Sequence, residues 1–173
     1  MTQARKVLIA LDQTHWFHVC SRCIKRSFLM GEDKYTGKSY EHRREWIADK
    51  LAELGDIFSI DIAAYAIMSN HYHLVLHIDA DKAKNWSDKT VIRRWMMLFK
   101  GNELALKVLK NKPISHAEQF IIDELVEKWR ERLSSISWFM RCLNEHIARL
   151  ANAEDKCSGR FYKRLLPFAL RAS

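Results

Sequence analysis

The chain has 173 residues, a length typical of one compact domain that can bury its own core. Its 48% hydrophobic and 29% charged residues exclude a disordered chain, and its 5 Gly and 2 Pro argue against a turn-rich all-β sandwich or barrel. The formal net charge of +8 predicts an anionic partner, most often nucleic acid, although a solvated basic surface gives the same balance.

No apolar run is long enough to span a bilayer, and the N-terminal residues MTQARKVLIALDQTHW lack the features of a signal peptide. We therefore expect a cytoplasmic protein with no membrane partner and with reduced cysteines. Cys20 and Cys23 have a spacing that can bind zinc, but residues three apart on a strand point to opposite faces. Buried or incidental cysteines are the preferred interpretation.

The first half of the chain predicts a strand, a helix and a strand pair. The segment FHVCSRCIKRSF, from Phe17 to Phe28, alternates apolar and polar residues as a half-buried strand does. A helical stripe of apolar residues follows after Ser39, with Gly55 expected to interrupt the helix near its end. Residues 60–78, IDIAAYAIMSNHYHLVLHI, then predict two antiparallel strands joined by a tight turn at Ser69 and Asn70.

The second half of the chain is predicted to be mainly helical. Ser87 can cap one helix, and Ser115 with Glu118 forms the capping box of a longer one. A third apolar stripe runs from Ile136 to Leu150 and ends before Gly159. From Lys156 to Ser173 the chain has five basic and no acidic residues, which predicts either a solvated tail or a phosphate-binding surface.

His71 and His73 form the clearest candidate for a site that carries chemistry. On a strand, the two imidazoles share one face about 7 Å apart at the backbone, whereas His77 lies about 13 Å from His73 on that face. Tyr72 and Leu74 belong to an apolar row on the opposite face. A pair of surface or hydrogen-bonded histidines is the alternative to a metal site.

The stretch AYAIMSNHYHLVLHI resembles the strand pair of the single-tyrosine HUH transposases. Two further stretches are similar to that family in the same order, FHVCSRCIKRSFL to its first strand and SWFMRCLNEHIARLANAEDKCSGRFYKR to a helix and a Gly-Arg-aromatic strand. The resemblance implies an α+β fold, a ferredoxin-like or RNA-recognition-like antiparallel sheet packed with helices. It covers a single transposase-like domain, 1–173, with a helical insertion at about 82–135.

The resemblance also implies a chemistry and a set of partners. A Mg²⁺ or Mn²⁺ ion held by His71 and His73 would polarise a phosphate of single-stranded or hairpin DNA, and a tyrosine would form a phosphotyrosine link during cleavage and rejoining. The family works as a homodimer, or here as a mixed dimer with a full-length relative. Our candidates for DNA contact are the basic residues Arg22, Arg26, Arg141, Arg160, Lys163 and Arg164.

The nucleophile is the weakest part of the resemblance. In the family it lies with a polar third metal ligand on a helix after the Gly-Arg-aromatic strand, whereas the residues after Arg164, LLPFALRAS, contain no Tyr, Asn or Gln. Tyr162 is the best-placed substitute, although it matches the aromatic position of the strand. Three hypotheses stay open: an active transposase, a truncated DNA-binding remnant or mixed-dimer inhibitor, and an interaction module that binds no metal.

Overall fold

The computed structural model describes residues 14–23, 28–159, 161–162 and 166–169. Within them, a strand, a helix and a strand pair appear in the predicted order, followed by a mainly helical stretch and a last strand. The strands are β1 (Trp16–Arg22), β2 (Ile60–Ile67), β3 (His71–Ile78) and β4 (Leu166–Ala169). The helices are α1 (Arg43–Ile57), α2 (Ala80–Lys84), α3 (Asp88–Leu98), α4 (Glu103–Leu109), α5 (His116–Leu133) and α6 (Ile136–Glu154).

The four strands form one antiparallel sheet in the order β2-β3-β1-β4. Leaving aside α2 to α5, the chain runs β-α-β-β-α-β, which is the ferredoxin-like arrangement. The predicted α+β class is therefore confirmed. Ser69 and Asn70 connect β2 to β3, and Met68 donates its backbone N–H to the His71 carbonyl at 2.8 Å, so the predicted turn is also confirmed.

In the part of the chain that the structure describes, one face of the sheet packs on helices and the other does not. Along β3, every second residue is buried, and β1 alternates in the same way. The buried residues of these strands pack in one core with those of α1 and α6. The core contains Phe17, Val19, Tyr72, Leu74, Leu76, Ile47, Leu51, Leu54, Phe139, Met140, Leu143 and Ile147.

Four helices lie between β3 and α6, in the stretch where a helical insertion was predicted. Ser87 caps α3, and Ser115 and Glu118 form the predicted capping box of α5. Helices α3 and α5 join through the stacked rings of Trp95 and Trp129, whose centroids are 5.5 Å apart. This helical layer extends the core, and its status as an insertion stays a prediction.

One expectation about element boundaries is wrong. Gly55 does not interrupt α1, which continues to Ile57, because Leu54 and Ile57 are fully buried and offset the roughly 1 kcal/mol that glycine costs in a helix. Of the predicted Gly-Arg-aromatic strand, the structure describes Gly159, Phe161 and Tyr162, and Tyr162 forms an isolated bridge with Cys23. The regular edge strand is β4, which begins at Leu166.

The described residues hold no helix long and apolar enough to cross a membrane. All four cysteines have free thiols. Cys23 is buried while Cys20 is half-buried on the other face of β1, as the strand alternation predicted. Burial raises the pKa of Cys23 to about 12, against a smaller opposing effect of Arg43, so this thiol stays protonated at neutral pH.

A buried arginine joins the start of α1 to the end of α6. The Arg43 side chain is fully buried, and its guanidinium donates to Glu154 at 2.8 Å, to Asp155 at 2.6 Å and to the Phe28 carbonyl at 2.7 Å. Burial acts to raise the pKa of Glu154, but hydrogen bonding and the charge of Arg43, with help from His42, lower it overall. The ionised carboxylate is therefore favoured in the folded state.

This ion cluster predicts a loss of stability in acid. Glu154 has its ordinary pKa of 4.5 when unfolded and a lower one when folded, so its contribution is present above pH 4.5 and is lost as the pH falls through the folded-state value. We expect Glu154→Gln to unfold with a weaker pH dependence than the wild type, measured by urea denaturation between neutral and acid pH. Identical pH dependence in the two proteins would exclude this role of Glu154.

Candidate nucleic-acid and metal site

The helix-free face of the sheet carries the histidines singled out in the sequence. His71 and His73 lie half-buried on this face of β3, and Tyr72 between them is fully buried on the other. On the neighbouring β1, Arg22 pairs with His71 in the strand register and Cys20 pairs with His73. We call the set His18, His71, His73 and Arg22 the histidine face.

His18 is the member of this face that the sequence analysis missed. Its Nε2 lies 2.8 Å from His73 Nδ1, and the two rings stack with centroids 4.9 Å apart. The alternation of Trp16, His18 and Cys20 along β1 could have placed His18 on the polar face of that strand. Its side-chain contact with His73 could be predicted only from the register between β1 and β3.

The hydrogen bonds of the two candidate ligands leave a nitrogen free on each. The Asn70 Oδ1 atom accepts from His71 Nδ1 at 2.6 Å, so the lone pair of neutral His71 lies on Nε2. When His73 Nδ1 donates to His18 Nε2, the lone pair of His73 likewise lies on Nε2. A hydrogen bond from the far nitrogen is the usual way in which proteins orient a metal-binding histidine.

Electrostatics on this face favour a neutral His73. Burial lowers its pKa, and the neighbouring His18, His71 and Arg22 lower it further through their positive charge. A neutral imidazole is the form that binds a metal ion, whereas a protonated one binds only anions. His73 is thus available as a ligand at neutral pH.

The spacing of His71 and His73 suits a divalent ion, but the number of protein ligands does not. The ring centroids of His71 and His73 are 5.1 Å apart at an interplanar angle of 80°. Two imidazoles that share one ion at a metal–nitrogen distance of about 2.1 Å have ring centres roughly 5 Å apart. In the described part of the chain, however, no group of three or more His, Cys, Asp or Glu side chains could hold a metal. Phosphate and water would have to complete the coordination, and two imidazoles suit Mn²⁺ better than Mg²⁺.

The basic residues proposed for DNA contact divide into three groups. Arg22 is exposed on the histidine face, and none of the ion pairs among the described residues includes it. Arg141 lies on α6, away from this face, where it pairs with Glu145 and lies 5.0 Å from the centre of the Trp138 ring. The remaining four, Arg26, Arg160, Lys163 and Arg164, lie outside the described residues.

None of the five tyrosine side chains lies next to the imidazole of His71 or His73, as judged from strand alternation and from ring contacts. Tyr72 is buried, and Tyr65 pairs with Leu74 on the other side of the sheet from His73. Tyr35 is fully exposed in the loop between the paired residues Glu32 and Ser39, and Tyr40 stacks on Phe28.

Tyr162, the candidate nucleophile, is buried next to Tyr72, with the ring centroids 6.1 Å apart. Its hydroxyl has no hydrogen-bond partner among the described residues, and burial raises its pKa well above the ordinary value. A buried, protonated hydroxyl on the core side of the sheet is a poor nucleophile for a phosphate on the histidine face.

No protein-family model matches the sequence, and no curated protein matches it. Among solved structures, a REP-associated tyrosine transposase bound to a REP hairpin resembles the fold with a TM-score of 0.48 and 9% sequence identity. The alignment covers 100% of this chain and 64% of that chain. The similarity is too distant to show a shared function.

The hydrogen-bonded histidine pair predicts a measurable change in the titration of His73. Replacing His18 with Gln removes one of the groups that lower the pKa of His73 and keeps a polar side chain at that position. We expect the pKa of His73 to lie below 6.5 in the wild type and to rise in His18→Gln, measured from ring resonances in NMR titrations. An unchanged or lower pKa in the variant would show that His18 does not act on His73.

Proposed function

We propose that the histidine face binds single-stranded DNA through its phosphates, together with a divalent ion held by His71 and His73, and that the chain is a transposase-like protein. One observation carries this proposal. Two oriented imidazoles and an arginine without an acidic partner among the described residues lie together on an exposed sheet surface. The sequence resemblance and the ferredoxin-like strand order support the same function.

The face offers a phosphate complementary contacts of two kinds. Arg22 is always charged and can donate two hydrogen bonds to phosphate oxygens. His71 is its direct register partner, and His73 lies two residues further along β3. A divalent ion at the histidines would supply Lewis-acid polarisation of the phosphate. His18 and Asn70 contribute by holding the imidazoles in orientation.

A second candidate function is DNA binding without strand cleavage. The observation that favours it is the placement of the tyrosines, because Tyr162 is buried and Tyr72 and Tyr65 belong to the other face. Incubation with end-labelled single-stranded DNA and Mn²⁺, followed by denaturing electrophoresis, distinguishes the two. A covalent adduct would establish cleavage and exclude the second candidate. From the placement of the tyrosines we expect DNA binding without an adduct. The dimer implied by the resemblance stays a prediction.

Metal binding should depend on the two histidines together. We expect Mn²⁺ to bind weakly to the wild type, because the protein supplies only two ligands, and not to bind to the double variant His71→Ala/His73→Ala. Calorimetric titration measures both. His116→Ala, which changes an exposed histidine at the start of α5, is the matched control. Equal heats in the wild type and the double variant would remove the metal from the proposal.

DNA binding should be steeply salt-dependent, and Arg22 should account for part of that dependence. We expect Arg22→Ala to weaken binding of an oligothymidylate and to reduce the slope of log affinity against log salt by about 1, the effect of one lost phosphate contact. Fluorescence anisotropy measures affinity across a salt series. Arg141→Ala is the control, since Arg141 lies away from the histidine face. A larger effect of Arg141→Ala than of Arg22→Ala would place the DNA elsewhere.

A further inference from the structure

An exposed tryptophan lies at the far end of the same sheet face. Trp16, the first residue of β1, pairs in register with His77 of β3, and its ring lies 4.6 Å from the His77 ring at an angle of 38°. Trp16 is 46% exposed, whereas Trp95 and Trp129 are only 5% exposed in the core. The indole therefore presents apolar surface to solvent on the face that carries His73.

Contacts with neighbouring elements fix the position of His77, the residue that lies against the Trp16 ring. His77 Nδ1 lies 3.2 Å from Asp61 Oδ2 of β2, and Asp61 also pairs with Lys82 of α2 at 3.5 Å. His15 Nδ1 lies 3.2 Å from the Ile78 carbonyl, and its ring centroid is 6.1 Å from that of His77. Protein contacts thus hold the imidazole beneath Trp16 in orientation.

Between Trp16 and His73 this face carries His18 and the half-buried Val75, and the neighbouring strand β2 contributes small side chains. On β2, Ala64 pairs with Val75 and Ala66 pairs with His73, and both alanines are exposed. Because both residues are alanines, β2 places no bulky side chain at these two positions beside β3. His73 and His77 are four residues apart, which corresponds to about 13 Å along a strand.

We propose that Trp16, supported by His77, is a stacking platform for an unpaired base of the DNA strand whose phosphate lies at the histidine face. This inference rests on the proposed function. Base stacking on an aromatic side chain contributes about 1–3 kcal/mol per base and tolerates any base, because every base has a π-face. Arg22 and the histidines then contact phosphate at one end of the face, and Trp16 contacts a base at the other.

Changing the protein and the DNA, separately and together, tests the contact between Trp16 and a base directly. We compare the binding of an oligothymidylate with that of an abasic strand of the same length, for the wild type and for Trp16→Ala, by fluorescence anisotropy. The wild type should prefer the strand with bases by about tenfold, which corresponds to about 1.4 kcal/mol, and Trp16→Ala should lose most of that preference. Affinity for the abasic strand and the salt slope should be the same in both proteins.

Two further variants complete the test. Trp16→Phe keeps a smaller ring and should show an intermediate preference, which also answers the question if Trp16→Ala does not fold. Tyr65→Ala removes an aromatic residue that is 52% exposed on the other side of the sheet and should keep the full preference. Equal preferences in the wild type and in every folded Trp16 variant would overturn the stacking platform and leave the proposed function standing. Absence of binding to either strand by the wild type would overturn both.

Discussion

The alternation of fully buried and half-buried residues along β3 is the constraint on which the rest of the structure depends. Tyr72, Leu74, Leu76 and Ile78 are almost completely buried against the helices, so the residues between them must point to the other face. A slip of one residue would expose this apolar row and bury the histidines. Because β3 is an inner strand, paired on both sides, that register is fixed by two neighbours.

A polar contact inside the core reinforces this register. Asn144 Oδ1 accepts hydrogen bonds from the Tyr72 hydroxyl at 2.6 Å and from the Ser21 hydroxyl at 3.2 Å. One side chain of α6 thereby connects directly paired residues of β1 and β3, and buried polar groups left without such partners cost about 1–3 kcal/mol each. The same register brings His18 Nε2 within 2.8 Å of His73 Nδ1 on the opposite face, so core packing and site geometry have a common origin.

Features that depend on neighbouring residues could be predicted from the sequence. Features that depend on contacts between residues distant in the chain could not. The caps at Ser87 and Ser115, the Ser69–Asn70 turn and the shared face of His71 and His73 follow from neighbouring residues alone. The His18–His73 pair joins positions 55 residues apart and could not be predicted without the strand register. Gly55 was misjudged because burial of its helix outweighs its own low propensity. Arg141 was grouped with the site by charge, which carries no information about the side of the sheet.

The central claim is that DNA lies on the helix-free face of the sheet, and chemical-shift mapping tests it most directly. An oligothymidylate titrated into isotope-labelled protein should shift the ring signals of His18, His71 and His73 and the indole signal of Trp16. The indole signal of Trp138, which lies beside Arg141, should stay in place. Shifts confined to Trp138 and its neighbours, with the histidine signals unchanged, would contradict the account.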